Sequence, residues 1–83
     1  MNNEYFRKDL GEEITALSWD GETAVVGGGR GTLQVWNLLQ GAKVWAEQAH
    51  QGRVSALAVL EAGRRIVSGG EDRRVIVWRT ENS

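Results

Sequence analysis

The fold is decided by the stretch VVGGGRGTLQVW, residues 25–36, because VSGGEDRRVIVW at residues 67–78 repeats it. In both, apolar residues lead into a glycine-rich turn, and an alternating segment that ends in tryptophan follows. An alternation of period two is typical of a β-strand with one buried face. A longer comparison places Glu13–Trp36 over Arg53–Trp78, with an offset of 40 residues before the first turn and 42 after it. Two extra residues therefore lie near Leu60–Ala62, and we interpret the chain as one unit written twice.

The glycine-rich segment Gly27–Gly31 also resembles a loop that holds a phosphate group. Such a loop needs a helix directly after the glycines, because the free N–H groups at the helix N-terminus bind the phosphate. Here Thr32–Trp36 follows, which alternates as a strand does, and the sequence has no Gly-Lys-Ser/Thr signature. We therefore predict a hairpin turn, in which glycine supplies backbone conformations that other residues resist.

Short alternating segments, separated by Gly or Asp-Gly clusters, run along the whole chain. β-Branched and aromatic residues dominate them, as is typical of strands. Only Leu38–Gln48 has a helical pattern, and Gly41 interrupts it, so we interpret it as a turn followed by a strand. The predicted strands are Glu4–Lys8, Ile14–Trp19, Ala24–Gly27, Thr32–Trp36, Ala42–Glu47, Val54–Val59, Arg65–Ser68 and Arg74–Arg79. Eight short strands predict an all-β fold.

The composition excludes several classes of protein. The 83 residues contain no cysteine and one histidine, so we expect no disulfide bond, no metal site and no cofactor. The net charge of −1 gives no basis for nucleic-acid binding. Because the sequence has neither a long apolar run nor a signal-peptide pattern, we expect a cytoplasmic protein with no membrane partner.

The chain is short for a stable domain, and its charge is unevenly distributed. Residues 1–41 hold 3 basic and 6 acidic side chains, whereas residues 42–83 hold 7 basic and 5 acidic ones. Small chains without disulfides or metals are commonly stabilised by oligomerisation. Opposite charges on the two halves would modestly favour a head-to-tail contact between copies.

The second copy resembles the WD40 repeat, a β-rich unit of about 40–45 residues that forms a propeller blade. Ala49–Val54 is similar to the Gly-His opening of that family, with alanine in place of glycine. Ser68–Asp72 is similar to its serine-glycine turn with a structural aspartate. Val75–Arg79 is similar to its Trp-Asp ending, with arginine in place of aspartate. The resemblance implies two four-stranded antiparallel blades.

The resemblance also implies a hydrogen-bonded tetrad in the second copy, formed by His50, Ser68, Asp72 and Trp78. The first copy keeps only the blade tryptophan, Trp36, and carries at the other three positions Leu10, Val26 and Arg30. We therefore expect the first blade to rely on apolar packing.

The four tryptophans are expected to pack rather than to stack on a ligand. Trp36 and Trp78 recur in register, so each is predicted to pack within or between blades. Trp19 aligns with Val59 and is expected in the core. Trp45 lies on a predicted outer strand, and we expect it to be buried between blades.

The resemblance divides the chain into three parts. Residues 1–9 would supply an outer strand, residues 10–48 a first blade, and residues 49–83 a second blade that lacks its own outer strand. Because propellers have 4–8 blades, we expect head-to-tail self-assembly, with the N-terminal strand completing a neighbouring copy's blade. That strand consists of Glu4, Tyr5, Phe6, Arg7 and Lys8. Three copies would give six blades and four copies eight, and the tetramer is the preferred expectation.

These inferences favour a self-assembling structural or interaction scaffold. The alternative is a protein- or peptide-binding WD40 module that is a fragment of a longer propeller. In the family, partners bind turns that correspond here to Glu13, Thr15, Arg30, Arg53, Ser55, Glu71 and Arg73. An enzyme is not expected, because the sequence shows no Ser-His-Asp motif, thiol, metal cluster or paired carboxylate.

Overall fold

The chain folds into two antiparallel β-sheets that pack against each other. The computed structural model describes residues 3–4 and 7–80, without the side chain of Ala62. Sheet 1 has the order β1-β2-β3-β4, with strands Ile14–Asp20, Thr23–Gly28, Thr32–Asn37 and Ala42–Gln48. Sheet 2 has the order β5-β6-β7, with strands Val54–Leu60, Arg65–Gly70 and Val75–Arg79.

Seven of the eight predicted strands are confirmed, with ends that differ from the prediction by at most two residues. The eighth, Glu4–Lys8, lies partly outside the described residues, because Tyr5 and Phe6 are not described. Its described members are not in a strand in this single chain, and Arg7 forms an ion pair with Glu4 at 2.7 Å. The pairing of this segment with another copy therefore stays a prediction.

The extra residues of the second copy form a 3₁₀ turn, Glu61–Gly63, between β5 and β6. Gly63 has a positive φ of 91° and is buried. A Cβ atom at Gly63 would lie 2.5 Å from Cγ2 of Thr23, which is the first residue of β2. The insertion is thus a contact between the two sheets and not only a longer loop.

The core lies between the two sheets. Sheet 1 contributes Val25, Leu33 and Val35 to it, and sheet 2 contributes Val54 and Ile66. All five are at least 96% buried, because none is more than 4% exposed. Trp45 of β4 meets Trp78 of β7 edge to face, with ring centroids 5.7 Å apart. Trp45 is partly buried and packs against this core between the two repeats.

The two glycine-rich stretches form equivalent hairpin turns, as predicted. The N–H of Gly31 donates to the Gly28 carbonyl in sheet 1, and the N–H of Arg73 donates to the Gly70 carbonyl in sheet 2, both at 3.1 Å. The last residue of each four-residue turn has a positive φ, 91° at Gly31 and 67° at Arg73. Only glycine fits the first turn, because a Cβ at Gly31 would overlap the carbonyl oxygen of His50.

Gly31→Ala is expected to lower the free energy of unfolding by about 2 kcal/mol, because it combines a strained φ with a backbone clash. Arg73→Ala is the matched control at the equivalent position. It should change stability by less than about 0.5 kcal/mol, because Arg73 already carries a Cβ at positive φ. Urea unfolding of both variants at one protein concentration measures the difference. Equal losses would show that the approach of His50 does not determine the residue at this turn.

Candidate interaction surfaces

Four side chains of the second repeat form a continuous chain of hydrogen bonds. Nδ1 of His50 lies 2.9 Å from Oδ1 of Asp72, and Nε2 of His50 lies 2.8 Å from Oγ of Ser68. The indole N–H of Trp78 donates to the same Oγ at 2.9 Å. These partners assign His50 a proton on Nδ1, which donates to the carboxylate, while Nε2 accepts from the serine hydroxyl. The four predicted tetrad residues are thus brought together.

The Ser68–His50–Asp72 part of this chain has the connectivity of a catalytic triad. The three residues come from the loop before β5, from β6 and from the following turn, so no local sequence motif contains them. The hydroxyl of Ser68 is fully buried, and the indole N–H of Trp78 already occupies its oxygen. A substrate therefore has no access to this serine, and the cluster connects the elements of sheet 2 instead.

Among the four hydrogen-bonded tetrad residues, Asp72 lies at the end of the network that is nearest to solvent. Its carboxylate also accepts the backbone N–H of Gln51 at 3.1 Å and that of Arg74 at 3.2 Å. Desolvation of the carboxyl raises its pKa, but these hydrogen bonds and the one from His50 outweigh that effect. The net result is a pKa for Asp72 below its usual value of 3.8.

The lowered pKa of Asp72 predicts a loss of stability in acid. A carboxyl whose pKa is lower in the folded state stabilises the fold above its unfolded pKa, and this contribution disappears as the pH falls through the folded pKa. The urea concentration at the unfolding midpoint should therefore decrease as the pH is lowered from about 5 to about 2, and the decrease should be smaller in Asp72→Asn. Glu47→Gln, which removes an exposed carboxylate, is the control. Parallel pH profiles for the protein and Asp72→Asn would contradict the assignment.

Besides the apolar packing expected of it, sheet 1 has polar contacts of its own where the tetrad is missing. The indole N–H of Trp36 donates to Oε1 of Gln34 at 2.8 Å, which replaces the serine acceptor of the second repeat. The hydroxyl of Thr32 donates to the carboxylate of Glu12. That carboxylate lies against Gly28, as the imidazole of His50 lies against the equivalent Gly70. In both repeats the indole N–H of the blade tryptophan has an acceptor and a polar side chain lies against the turn glycine, but the residues that provide these contacts differ.

The two sheets meet through different sides. The front face of sheet 1 is the side that carries Val25, Gly27, Leu33 and Val35. It packs on the rear face of sheet 2, which carries Val54, Leu57, Val59, Ile66 and Trp78. The inner strands β1 and β5 approach each other, and the hydroxyl of Thr15 donates to the carbonyl of Val54 at 2.5 Å. A Cβ at Gly27 would lie 2.5 Å from Cγ1 of Val54, so the contact requires glycine.

The equivalent sides that point away from this contact are exposed and apolar. On the front face of sheet 2, Val75 and Val77 are 74% and 67% exposed, whereas their repeat equivalents Leu33 and Val35 are buried. Gly69, the equivalent of Gly27, has nothing within 4 Å of its Cβ position. The front face of sheet 2 thus repeats a packing surface that has no partner among the described residues.

The rear face of sheet 1 repeats the other half of the contact. Ile14 and Leu17 are the repeat equivalents of Val54 and Leu57, and both are about half exposed. Trp19 is 68% exposed, so the expectation that it lies in the core is wrong for the single chain. This face contains an apolar hollow, whose lining includes Leu10, Leu17, Ala24, Val26, Trp36 and Leu38.

The seven predicted partner-binding residues do not form one open surface. Thr15 lies between the sheets, where it binds the carbonyls of Gly27 and Val54. Glu13, Arg53 and Glu71 form one connected charged edge near the starts of β1 and β5. Arg73 lies exposed in the same turn as Glu71. Arg30 and Ser55 are also exposed.

Three other kinds of feature are absent from the described residues. They contain no group of three or more His, Cys, Asp or Glu side chains that could hold a metal ion. None of their buried side-chain N or O atoms lacks a hydrogen-bond partner. No helix in the described residues is long and apolar enough to cross a membrane. The two apolar faces and the charged edge are therefore the candidate interaction surfaces.

Comparison with known proteins gives a consistent result. The family model of the WD40 repeat (WD domain, G-beta repeat) matches residues 41–79, which run from the start of β4 to the end of β7. The matched range begins with the outer strand of sheet 1 and ends with β7 of sheet 2, so the sequence repeat is shifted by one strand from the sheet. The target of rapamycin complex subunit LST8-1 of Arabidopsis thaliana is 30% identical over 80 residues, which are 88% of this chain and 26% of that protein.

Two further matches cover most of the chain. The methylosome protein WDR77 of Xenopus laevis is 34% identical over 77 residues, which are 92% of this chain and 23% of that protein. The crystal structure of the computationally designed Ika4 protein superimposes with a TM-score of 0.84 at 32% identity, over 95% of this chain and 49% of that one. The chain thus spans about a quarter of the length of these curated relatives and half of that structure.

Proposed function

The chain belongs to the WD40-repeat family, and from this premise we propose that it is a non-catalytic, two-bladed unit that assembles with copies of itself into a closed β-propeller. Sheets 1 and 2 are then two blades of the ring. The observation that carries the proposal is the pair of exposed apolar faces, which repeat the two halves of the contact inside the chain. The assembled ring would act as a structural or interaction scaffold.

The contact inside the chain serves as a template for the contact between copies. The front face of sheet 2 would pack on the rear face of sheet 1 of the next copy, with Gly69 against Ile14 as Gly27 packs against Val54. Val75 and Val77 would then take the buried places that Leu33 and Val35 have within the chain. Covering such apolar surface favours association, at roughly 25 cal/mol per Å² of area removed from water.

The outer edge of sheet 2 supports an exchange of the N-terminal strand. Among the described residues, β7 has a single hydrogen-bonded strand neighbour, β6. An open strand edge binds further strands, and proteins commonly cover it. The 40-residue offset aligns Glu4–Lys8 with residues 44–48 of β4, and it aligns Tyr5 with Trp45. We therefore propose that this segment of one copy pairs with β7 of its neighbour, as β4 pairs with β3.

Two blades per copy limit the ring to an even number of blades. Three copies would give six blades and four would give eight, and the tetramer remains the preferred assembly. Heterologous contacts of this kind either close into a ring or grow into an open filament. Closure is expected here, because propellers form by radial repetition of blades.

Mass in solution tests the proposal. Each copy has a mass of 9.2 kDa, so native mass spectrometry should find a discrete species of about 28 kDa for three copies or about 37 kDa for four. Dilution should shift the population between the ring and the monomer without broad intermediates. A folded protein that stays at 9.2 kDa at every concentration would overturn self-assembly.

A second function is favoured by the share of the relatives that the chain covers. The chain spans about a quarter of LST8-1 and of WDR77, so its two faces can also be covered by further repeats of a longer protein. In that case it is an interaction module, whose partner binds the charged edge near Glu13 and Arg53. The same mass measurement separates the two functions, because a stable monomer agrees only with the module.

A further inference from the structure

Glu13 and Arg53 occupy the same position in the two repeats but carry opposite charges. Glu13 directly precedes the first residue of the inner strand β1, and Arg53 directly precedes the first residue of the inner strand β5. Their backbones are held in the same way, since the Glu13 carbonyl accepts the N–H of Gly29 at 2.8 Å and the Arg53 carbonyl accepts that of Glu71 at 2.9 Å. The repeat thus presents one fixed position whose sign alternates from blade to blade.

Within the chain these two side chains meet. A terminal nitrogen of Arg53 lies 3.2 Å from Oε1 of Glu13, across the contact between β1 and β5. Both side chains remain at least half exposed, so the pair lies at the edge of the contact and not in its core. An exposed pair is weak by itself and is screened by salt. It can nevertheless act strongly on assembly when it is repeated at every junction of a closed ring.

We propose that Arg53 of each copy binds Glu13 of the next copy at the equivalent place of the junction between copies, where the two residues exchange sides relative to the pair inside the chain, so that Glu and Arg alternate around one rim of the ring. This inference rests on the proposed self-assembly and names the charged contact between copies. Head-to-tail stacking places the first blade of the next copy after the second blade of each copy. The residue that follows Arg53 at this position around the ring is therefore Glu13 of the next copy. Every charge then lies between two opposite charges.

Nearby charges do not disturb this pairing. Glu71 uses its carboxylate to accept the backbone N–H of Arg53 at 3.2 Å, which leaves the guanidinium of Arg53 directed to Glu13. The carboxylate of Glu12 is bound by Thr32. The alternation also opposes wrong contacts, because two copies that meet through equal faces would place like charges together.

Two charge-reversal variants test the inference. Glu13→Arg makes the position positive in both blades, and Arg53→Glu makes it negative in both. Each variant alone should dissociate at a concentration at least tenfold higher than the unchanged protein at about 20 mM salt, with the difference largely lost at about 1 M salt. The double variant Glu13→Arg, Arg53→Glu should assemble as the unchanged protein does.

A mixture of the two single variants isolates the contact between copies. Both variants carry like charges within the chain, so only junctions between unlike copies can restore attraction. With one variant mass-labelled, native mass spectrometry should find purely one-variant rings depleted at least fivefold relative to random mixing. Lys43→Glu and Glu47→Arg, two exposed positions on the outer strand β4, are the matched controls and should mix randomly.

The outcomes distinguish this inference from the proposed function. If the unchanged protein assembles but the two variants mix randomly, the Glu13–Arg53 contact is confined to the single chain and the inference is overturned. If the unchanged protein stays monomeric, self-assembly itself fails. Selective mixing together with the loss of assembly in each single variant supports the alternating rim.

Discussion

Gly69→Val is expected to abolish the ring while each chain keeps its two-sheet fold. In the single chain the Cβ position of Gly69 has nothing within 4 Å, so the branching carbon of a valine fits there without a clash. In the assembled ring it would meet Ile14 of the next copy, as a Cβ at Gly27 would meet Val54 at 2.5 Å. Because Cβ of Val54 also lies 2.8 Å from the Cβ position of Gly27, and a rotamer change does not move a Cβ atom, one rotamer change cannot relieve the equivalent clash between copies, so every junction should fail. The mass should fall from about 28–37 kDa to 9.2 kDa.

The equivalent change in the first repeat provides a matched control. Gly27→Val places the same side chain against Val54 inside the chain, so it should destabilise the fold itself by several kcal/mol. Circular dichroism and native mass spectrometry of both variants separate the two effects. A Gly69→Val protein that still forms the ring would show that the contact between copies does not follow the contact within the chain.

The strands were predictable because their evidence is local. The period of two in segments such as Leu33–Val35, together with the glycine-rich turns, fixes where strands begin and end to within two residues. The tetrad was predictable for another reason, since its four residue types stand at the positions that the WD40 resemblance assigns. Neither inference required knowledge of what packs against each sheet.

The exposure of Trp19 could not be predicted because it depends on what packs against its sheet. Trp19 aligns with the partly buried Val59, yet it is exposed because, among the described residues, no sheet packs on the rear face of sheet 1. Repetition shows which residues are equivalent, but it does not show which equivalents have a partner. The Trp36–Gln34 bond was within reach, because residues two apart on a strand share a face and a buried indole N–H needs an acceptor.

The two repeats share a tryptophan whose indole N–H is hydrogen-bonded, although only the second repeat has the tetrad. Trp78 donates to Ser68, and Trp36 donates to Gln34, at 2.9 Å and 2.8 Å. At the position of Ser68 the first repeat has Val26, and at the position of Gln34 the second repeat has Ile76. The two pairs of residues are alternative solutions, and each should be transferable to the other blade.

The second blade can be given the Val and Gln residues of the first blade, which tests whether Gln34 is the acceptor that takes the place of Ser68. Ser68→Val removes the acceptor of Trp78 and the hydroxyl partner of His50, so it should lower the free energy of unfolding by about 3 kcal/mol. Adding Ile76→Gln places an amide oxygen two residues before the tryptophan, as Gln34 stands before Trp36, and should recover about 1 kcal/mol of that loss. Urea unfolding at one protein concentration measures both values.

Ile76→Gln alone is the control that completes the cycle. It should bring no gain, because the indole N–H of Trp78 is already bound to Ser68 and a glutamine there only replaces a partly buried apolar side chain. The recovery must therefore appear as a coupling between the two substitutions of about 1 kcal/mol, which is larger than the usual error of additivity. Strictly additive effects would mean that Gln34 is incidental to Trp36. The first blade would then depend on its apolar contacts, as the sequence alone suggests.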